Sequence, residues 1–249
     1  MYNVWIYSIA SVIIISLISL IGVFSLALKP EKLKSFLIYF ISLSAGALIG
    51  DAFIHLLPTA TEKFGFTTTV SLYAISGILI SFAMEKFIHW RHCHLPITKT
   101  HVHPFAWMNL FGDSIHNFID GLIIGASYLI SMPIGLATTL AVIVHEIPQE
   151  IGDFGVLVHG GFSRKKALWL NFLTALTAIL GTIIALFIGA YTQNMTQFLV
   201  PFAAGSFIYI ASADLIPELH KETTISKSFF QLFYFIIGIS LMFLLLYIE

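Results

Sequence analysis

Eight apolar stretches take up nearly all of this 249-residue chain, at about 4–28, 35–58, 69–88, 107–130, 133–160, 166–190, 197–219 and 227–248. Each is close to the roughly 20 residues that a helix needs to cross a bilayer. The residues are 58% hydrophobic and 10% charged, with 23 Phe, far from the soluble average of about 25% charged. The mean hydropathy is +0.93. The chain therefore reads as an all-α integral membrane protein, a single transmembrane domain over 1–249. Segment one lacks the basic start of a signal peptide and is too long for its apolar part, so it counts as a helix. A lone cysteine, Cys93, excludes an internal disulfide and suggests no oxidising-compartment domain. The net charge of −1 argues against a nucleic-acid partner.

The basic residues set an orientation. Lys29, Lys32 and Lys34 follow segment one; Lys86, Arg91 and Lys99 follow segment three; Arg164, Lys165 and Lys166 follow segment five; Lys221 and Lys227 follow segment seven. Of the 12 basic residues only Lys63 falls on the other side. The positive-inside rule then puts these four loops in the cytoplasm and both termini outside. The membrane expected is the plasma or inner membrane.

A short repeat recurs at an offset of 159 residues. Ala45-Gly46 precedes Leu56-Leu57-Pro58 as Ala204-Gly205 precedes Leu215-Ile216-Pro217, with His55 and Asp214 just before each Leu-x-Pro. By the orientation above, segments two and seven run in opposite directions. Inverted repeats of this kind are a feature of secondary transporters. The expected arrangement is 3+2+3, with segments 1–3 and 6–8 as the two halves and segments four and five between them.

Segments four and five carry ionisable side chains where lipid-spanning helices avoid them, and such residues mark an ion or proton path by default. In segment four, Asp113, His116 and Asp120 are three and four residues apart and share a helix face, with Asn117 beside them. In segment five, His145 and Gln149 are four apart, as are Glu146 and Glu150, and Asp153 continues that stripe. Two polar faces can meet across one interhelical gap. Imidazole with carboxylate suits zinc, iron(II), manganese and similar divalent ions, whereas oxygen alone suits magnesium or calcium. Asp113 or Asp153 alone could simply pair with a neighbouring helix. Pro148 removes one backbone hydrogen bond and should kink segment five, leaving the Val144 carbonyl as a further candidate ligand.

These motifs resemble those of the ZIP (Zrt/Irt-like) family of divalent metal transporters. The match is to the subfamily with His-Glu-x-Pro-His-Glu-x-Gly-Asp in helix five, here His145 to Asp153, and His-Asn-x-x-Asp-Gly in helix four, here His116 to Gly121. Gly50 to Pro58 and Asp214 to Glu218 match as well. The resemblance implies a 3+2+3 bundle, a metal site between helices four and five with a contribution from helix two, and uptake of zinc, or of iron or manganese, towards the cytoplasm. It carries metal binding onto His116, Asn117, Asp120, His145 and Glu146, and onto Asp51. It implies an alternating-access or elevator-like cycle. The metal is substrate, and no prosthetic group is expected. The partners expected are divalent metal ions and the lipid bilayer, and a homodimer is compatible with the sequence.

The chain departs from the motif in two places. Gln149 stands where the pattern has its second histidine, and segment six has no acidic residue between Trp169 and Tyr191, where some relatives use a glutamate for a second metal. Glu150 or Asp153 could substitute there. His89, His92, Cys93, His94, His101 and His103 form a loop expected to collect metal loosely on the cytoplasmic side. Asp51 and His55 suggest entry, and Asp153, His159, Asp214 and Glu218 suggest exit. Two other readings stay open. His145-Glu146-x-x-Gln149 is one residue short of the His-Glu-x-x-His of zinc proteases, and a metal-sensing receptor would also need such a site.

Overall fold

The computed structural model describes residues 2–22, 30–89, 104–189 and 193–248, and every regular element among them is helical. The chain begins with α1 (Tyr2–Ile18), which tightens into a 3₁₀ turn at Ser19–Ile21. Then come α2 (Pro30–Gly50), a π-helical turn (Asp51–Leu56), α3 (Leu57–Phe64) and α4 (Thr68–His89). The central helices are α5 (Pro104–Ile130) and α6 (Met132–His159). The chain continues through α7 (Arg164–Ala175), α8 (Thr177–Gly189), α9 (Gln193–Tyr209), a second π turn (Ile210–Leu215), α10 (Ile216–His220) and α11 (Ile225–Leu245). The expected histidine-rich loop falls largely on residues 90–103, outside the described residues.

Among the described residues, six helical stretches are long and apolar enough to cross a membrane: Asn3–Ile21, Ile38–Phe64, Thr68–Lys86, Arg164–Gly189, Met195–His220 and Ile225–Leu245. The chain is an integral membrane protein. The other two expected segments correspond to α5 and α6, which are 27 and 28 residues long. Their hydropathy is diluted by the ionisable residues they bury. A single residue, Ser131, separates them, and its hydroxyl accepts from the Ile134 amide to cap α6. That one-residue turn sends α6 back along α5.

The two π turns lie 159 residues apart, the offset of the sequence repeat. Each is followed by the proline of Leu-x-Pro, Pro58 or Pro217. A proline inside a helix lacks a donor and crowds the carbonyl four residues back, and a local π turn widens the preceding turn to make room. The same offset relates two helix crossings. A β-carbon added at Gly46 in α2 would lie 2.1 Å from the Phe235 carbonyl oxygen in α11, and one at Gly205 in α9 would lie 1.8 Å from that of Ala74 in α4. Each crossing is completed from the opposite helix by Gly238 against Leu43 and Gly77 against Phe202. Backbone meets backbone at both crossings, a contact that only glycine permits.

A third close crossing orients the central pair. Gly121 in α5 sits so near the Ala178 carbonyl of α8 that a methyl group there would overlap it. Three threonine hydroxyls bond onto α5 along this line: Thr174 to Asp113, Thr177 to the Ser114 carbonyl at 2.7 Å, and Thr182 to the Gly121 carbonyl at 2.8 Å. With one side of α5 held to α7 and α8, His116 and Asp120 meet α6.

Candidate metal centre

His116 and Asp120 of α5 converge with His145 and Glu146 of α6, and one ligand atom from each lies within 4.8 Å of the others. His116 Nε2 is 3.4 Å from His145 Nε2, 3.4 Å from Glu146 Oε1 and 3.6 Å from Asp120 Oδ2. His145 Nε2 is 3.2 Å from Asp120 Oδ2 and 3.7 Å from Glu146 Oε1. Asp120, His145 and Glu146 are buried, while His116 keeps 18% of its side chain accessible.

The imidazole of His145 is oriented from behind. Its Nδ1 lies 3.1 Å from the Ala141 carbonyl, so Nδ1 carries the proton and Nε2 presents a lone pair. The Phe207 ring of α9 packs edge-on against it with centroids 6.0 Å apart. Asp120 Oδ2 and both Glu146 carboxylate oxygens are buried without a hydrogen-bond partner. Electron-rich nitrogen and oxygen atoms thus face one another across a gap shielded from water. A divalent cation would satisfy all of them at once, and two imidazoles with two carboxylates are a donor set for zinc and its neighbours rather than for calcium.

The remaining acidic residues have other partners. Asp113 accepts from Asn117 Nδ2 at 2.8 Å and from the Thr174 hydroxyl. Glu150 accepts from Asn171 Nδ2, and Asp153 from Asn109 Nδ2 at 2.9 Å. Asn117 spends its amide hydrogens on Asp113, while its Oδ1 is buried and without a partner. Asp51 and His55 sit buried in the first π turn, outside the four-residue group, with His55 Nε2 2.8 Å from the Met242 carbonyl. Glu218 is exposed and paired with Lys221.

A cavity of about 320 Å³ leads to His116. Its wall includes Gln149, Asp113, Asp153, Asn109, Glu85 and Tyr209. Tyr209 OH donates to Glu85, and Ser81 and Ser206 hydroxyls meet at 2.8 Å, so α4 and α9 are joined by polar contacts beside it. Gln149, the motif's odd residue, lines this cavity half-buried.

The Val144 carbonyl that Pro148 leaves without a helical donor accepts instead from Ser44 Oγ of α2 at 2.7 Å. Sequence reasoning also passed over Asn171 and Thr174. Asn171 carried the signal that exposed the other polar residues, an amide inside an apolar segment, whereas nothing distinguished Ser44 or Thr174 from hydroxyls bonded within their own helices.

A family profile described as ZIP Zinc transporter matches residues 2–105 and 94–246. Zinc transporter ZIP13 of Pongo abelii is 32% identical over 91% of this chain and 74% of its own length. Zinc transporter zipt-7.2 of Caenorhabditis elegans is 29% identical over 99% of this chain and 66% of its own, so this chain spans about two thirds of that relative. Zinc transporter SLC39A7 of Rattus norvegicus is 27% identical over 99% of this chain and 73% of its own. With the profile matched from end to end and the histidine–carboxylate cluster between two buried helices, the chain belongs to the ZIP zinc transporter family.

Proposed function

We propose that His116, Asp120, His145 and Glu146 form the transport site through which this protein carries zinc across the membrane. As a ZIP-family member the chain moves divalent metal ions, and family and relatives point to a transporter rather than a hydrolase. One observation carries the assignment: four ligand atoms lie within 4.8 Å of one another, and three oxygens of the two carboxylates, Asp120 Oδ2 and both of Glu146, are buried with no hydrogen-bond partner. Asn117 Oδ1, buried without a hydrogen-bond partner, and Gln149, which lines the cavity with His116, are the candidates to complete the shell. Asp51, His55, Asp113, Glu150 and Asp153 serve the path or the frame around it, with Asp153 on the cavity side.

The architecture proposed is eight spanning helices in a 3+2+3 inverted repeat, with α5 and α6 as the central two. At roughly 1.5 Å per residue, these helices are long enough to cross. The matched π turns and the matched glycine crossings support the repeat. The charge bias puts both termini outside and assigns the mouth of the cavity, near Glu85, Asn109 and Asp153, to the cytoplasmic side. The direction proposed is inward movement of zinc, with iron or manganese as lesser cargo, as the family resemblance implies. The membrane proposed is the plasma or inner membrane.

The test is uptake of radioactive zinc into proteoliposomes containing the purified protein, with iron, manganese and cadmium as competitors. Zinc accumulation above empty liposomes, competed by these ions, supports the proposal. Accumulation that persists unchanged after His145→Ala would dissociate transport from this site.

A further inference from the structure

Proline at position 148 leaves a defect one turn below the metal ligands, and a serine from another helix repairs it. Val144 would ordinarily accept a hydrogen bond from the amide of residue 148, but proline has no N–H and its ring presses on that same carbonyl. The Val144 carbonyl is buried, and a buried acceptor without a donor is costly. Ser44, fully buried on α2, reaches across to it at 2.7 Å. The same hydroxyl oxygen lies 2.7 Å from the Phe40 carbonyl in its own helix. It has one proton for two acceptors.

Resting on the transport-site reading above, we infer that Ser44 is a positioning residue for the metal centre: its bond to the Val144 carbonyl fixes the kink of α6 and so the approach of His145 and Glu146 to His116 and Asp120. Val144 directly precedes His145 and Glu146, so a peptide free to rotate at Val144 turns both ligands. Outside the cluster itself, His145 is held by the Ala141 carbonyl at Nδ1 and by the Phe207 ring packed edge-on against it. Ser44 supplies the tie on the α2 side. Because the hydroxyl keeps the Phe40 carbonyl as an alternative acceptor, this tie can be released and remade without leaving the serine unsatisfied.

The test is a double-mutant cycle on detergent-purified full-length protein, read by zinc titration and by the visible spectrum of bound cobalt(II), which reports ligand geometry. Ser44→Ala should weaken zinc binding roughly 10-fold, the lower end of what loss of a ligand-supporting group costs, and change the cobalt spectrum. Ser44→Thr, which keeps the hydroxyl, should bind within about threefold of wild type. The decisive arm is Pro148→Ala, which restores an amide donor to the Val144 carbonyl. In that background Ser44→Ala should cost no more than about twofold, because coupled residues are non-additive.

Ser44→Ala binding zinc with wild-type affinity and spectrum would overturn the inference. A full 10-fold loss that persists beside Pro148→Ala would do the same, because Ser44 would then act by a route other than this carbonyl. If Pro148→Ala does not fold, the Thr and Ala variants at position 44 decide: failure of threonine to rescue counts against the inference. Wild-type protein that binds no zinc overturns the site assignment and this inference together, whereas a null effect at Ser44 in zinc-binding protein overturns this inference alone.

Discussion

Two groups of acidic side chains occupy the same pair of helices and are resolved in opposite ways. Around His116 and His145, Asp120 and Glu146 offer buried oxygens that face imidazole nitrogens rather than any amide or hydroxyl donor. One turn away, Asp113, Glu150 and Asp153 each receive an amide or hydroxyl donor, from Asn117 and Thr174, from Asn171, and from Asn109. Burying a carboxylate is costly unless something compensates it. The first group receives no amide or hydroxyl donor, whereas the second draws donors from α5 and α7, with Glu150 Oε1 the oxygen left without one. The sequence distance between the groups is only a few residues, so what separates them is which amides and hydroxyls stand beside each carboxylate.

The largest effect should come from emptying the first group. Each outer-shell support of a metal is worth about 10- to 100-fold in affinity, so His116→Ala or His145→Ala, which removes a direct ligand, should lower zinc uptake by at least about 100-fold. Protein recovered from the membrane should be unchanged. Uptake above a tenth of wild type in either variant would put the transported ion elsewhere.

A sharper challenge converts the second group into the first. Asn171→Asp removes the donor to Glu150 and adds charge beside it. With its compensation gone, the acidic trio should take up a cation, and equilibrium dialysis should show zinc stoichiometry rising from one to two per chain. A stoichiometry that stays at one would mean that the carboxylates protonate instead. Asn171→Ala should leave stoichiometry at one and cost about 1–3 kcal/mol of stability, the penalty for a buried acceptor that loses its donor, read as a lower midpoint in thermal unfolding.

The smallest effect belongs to the edge of the first group. Gln149→His places two imidazoles four residues apart on α6, a spacing that chelates zinc on a helix. Zinc competition in proteoliposomes should then show a several-fold lower KM, an equal or lower maximal rate, and less use of manganese, which prefers oxygen. Tighter ground-state binding does not speed release, so a raised maximal rate would count against Gln149 facing the ion.

Most of the helical framework was legible from run length, because a lipid-spanning helix must be apolar for about 20 residues whatever it packs against. The buried His and carboxylate positions that meet in the cluster were legible for the converse reason, since ionisable residues are rare in such runs. What the sequence did not disclose is how each polar atom is partnered. Asp113 shares a helical face with His116 and Asp120 by spacing, yet it is bonded to Thr174, because the close crossing at Gly121 brings α7 and α8 against that edge of α5. The Val144 carbonyl follows the same logic. Pro148 announces a vacancy in the helix ladder, but only the crossing of α2 over α6 says that Ser44 fills it. The π turns were hidden too, since one added residue per turn leaves apolar content unchanged.

The cavity beside His116 sets how an ion sheds its water. Its volume of about 320 Å³ holds roughly ten water molecules at about 30 Å³ each, enough to keep a cation hydrated beside His116. Asn109, Gln149, Asp153 and Glu85 line that space with groups that hydrogen-bond water. For an ion entering by this cavity, dehydration would fall to the last step, where His116, the partly accessible member of the four, would replace one water while the others remain. An ion that exchanges its hydration shell readily would pass that step one ligand at a time. Magnesium, which holds its waters tightly and prefers oxygen, would meet an imidazole as the first protein ligand on offer there.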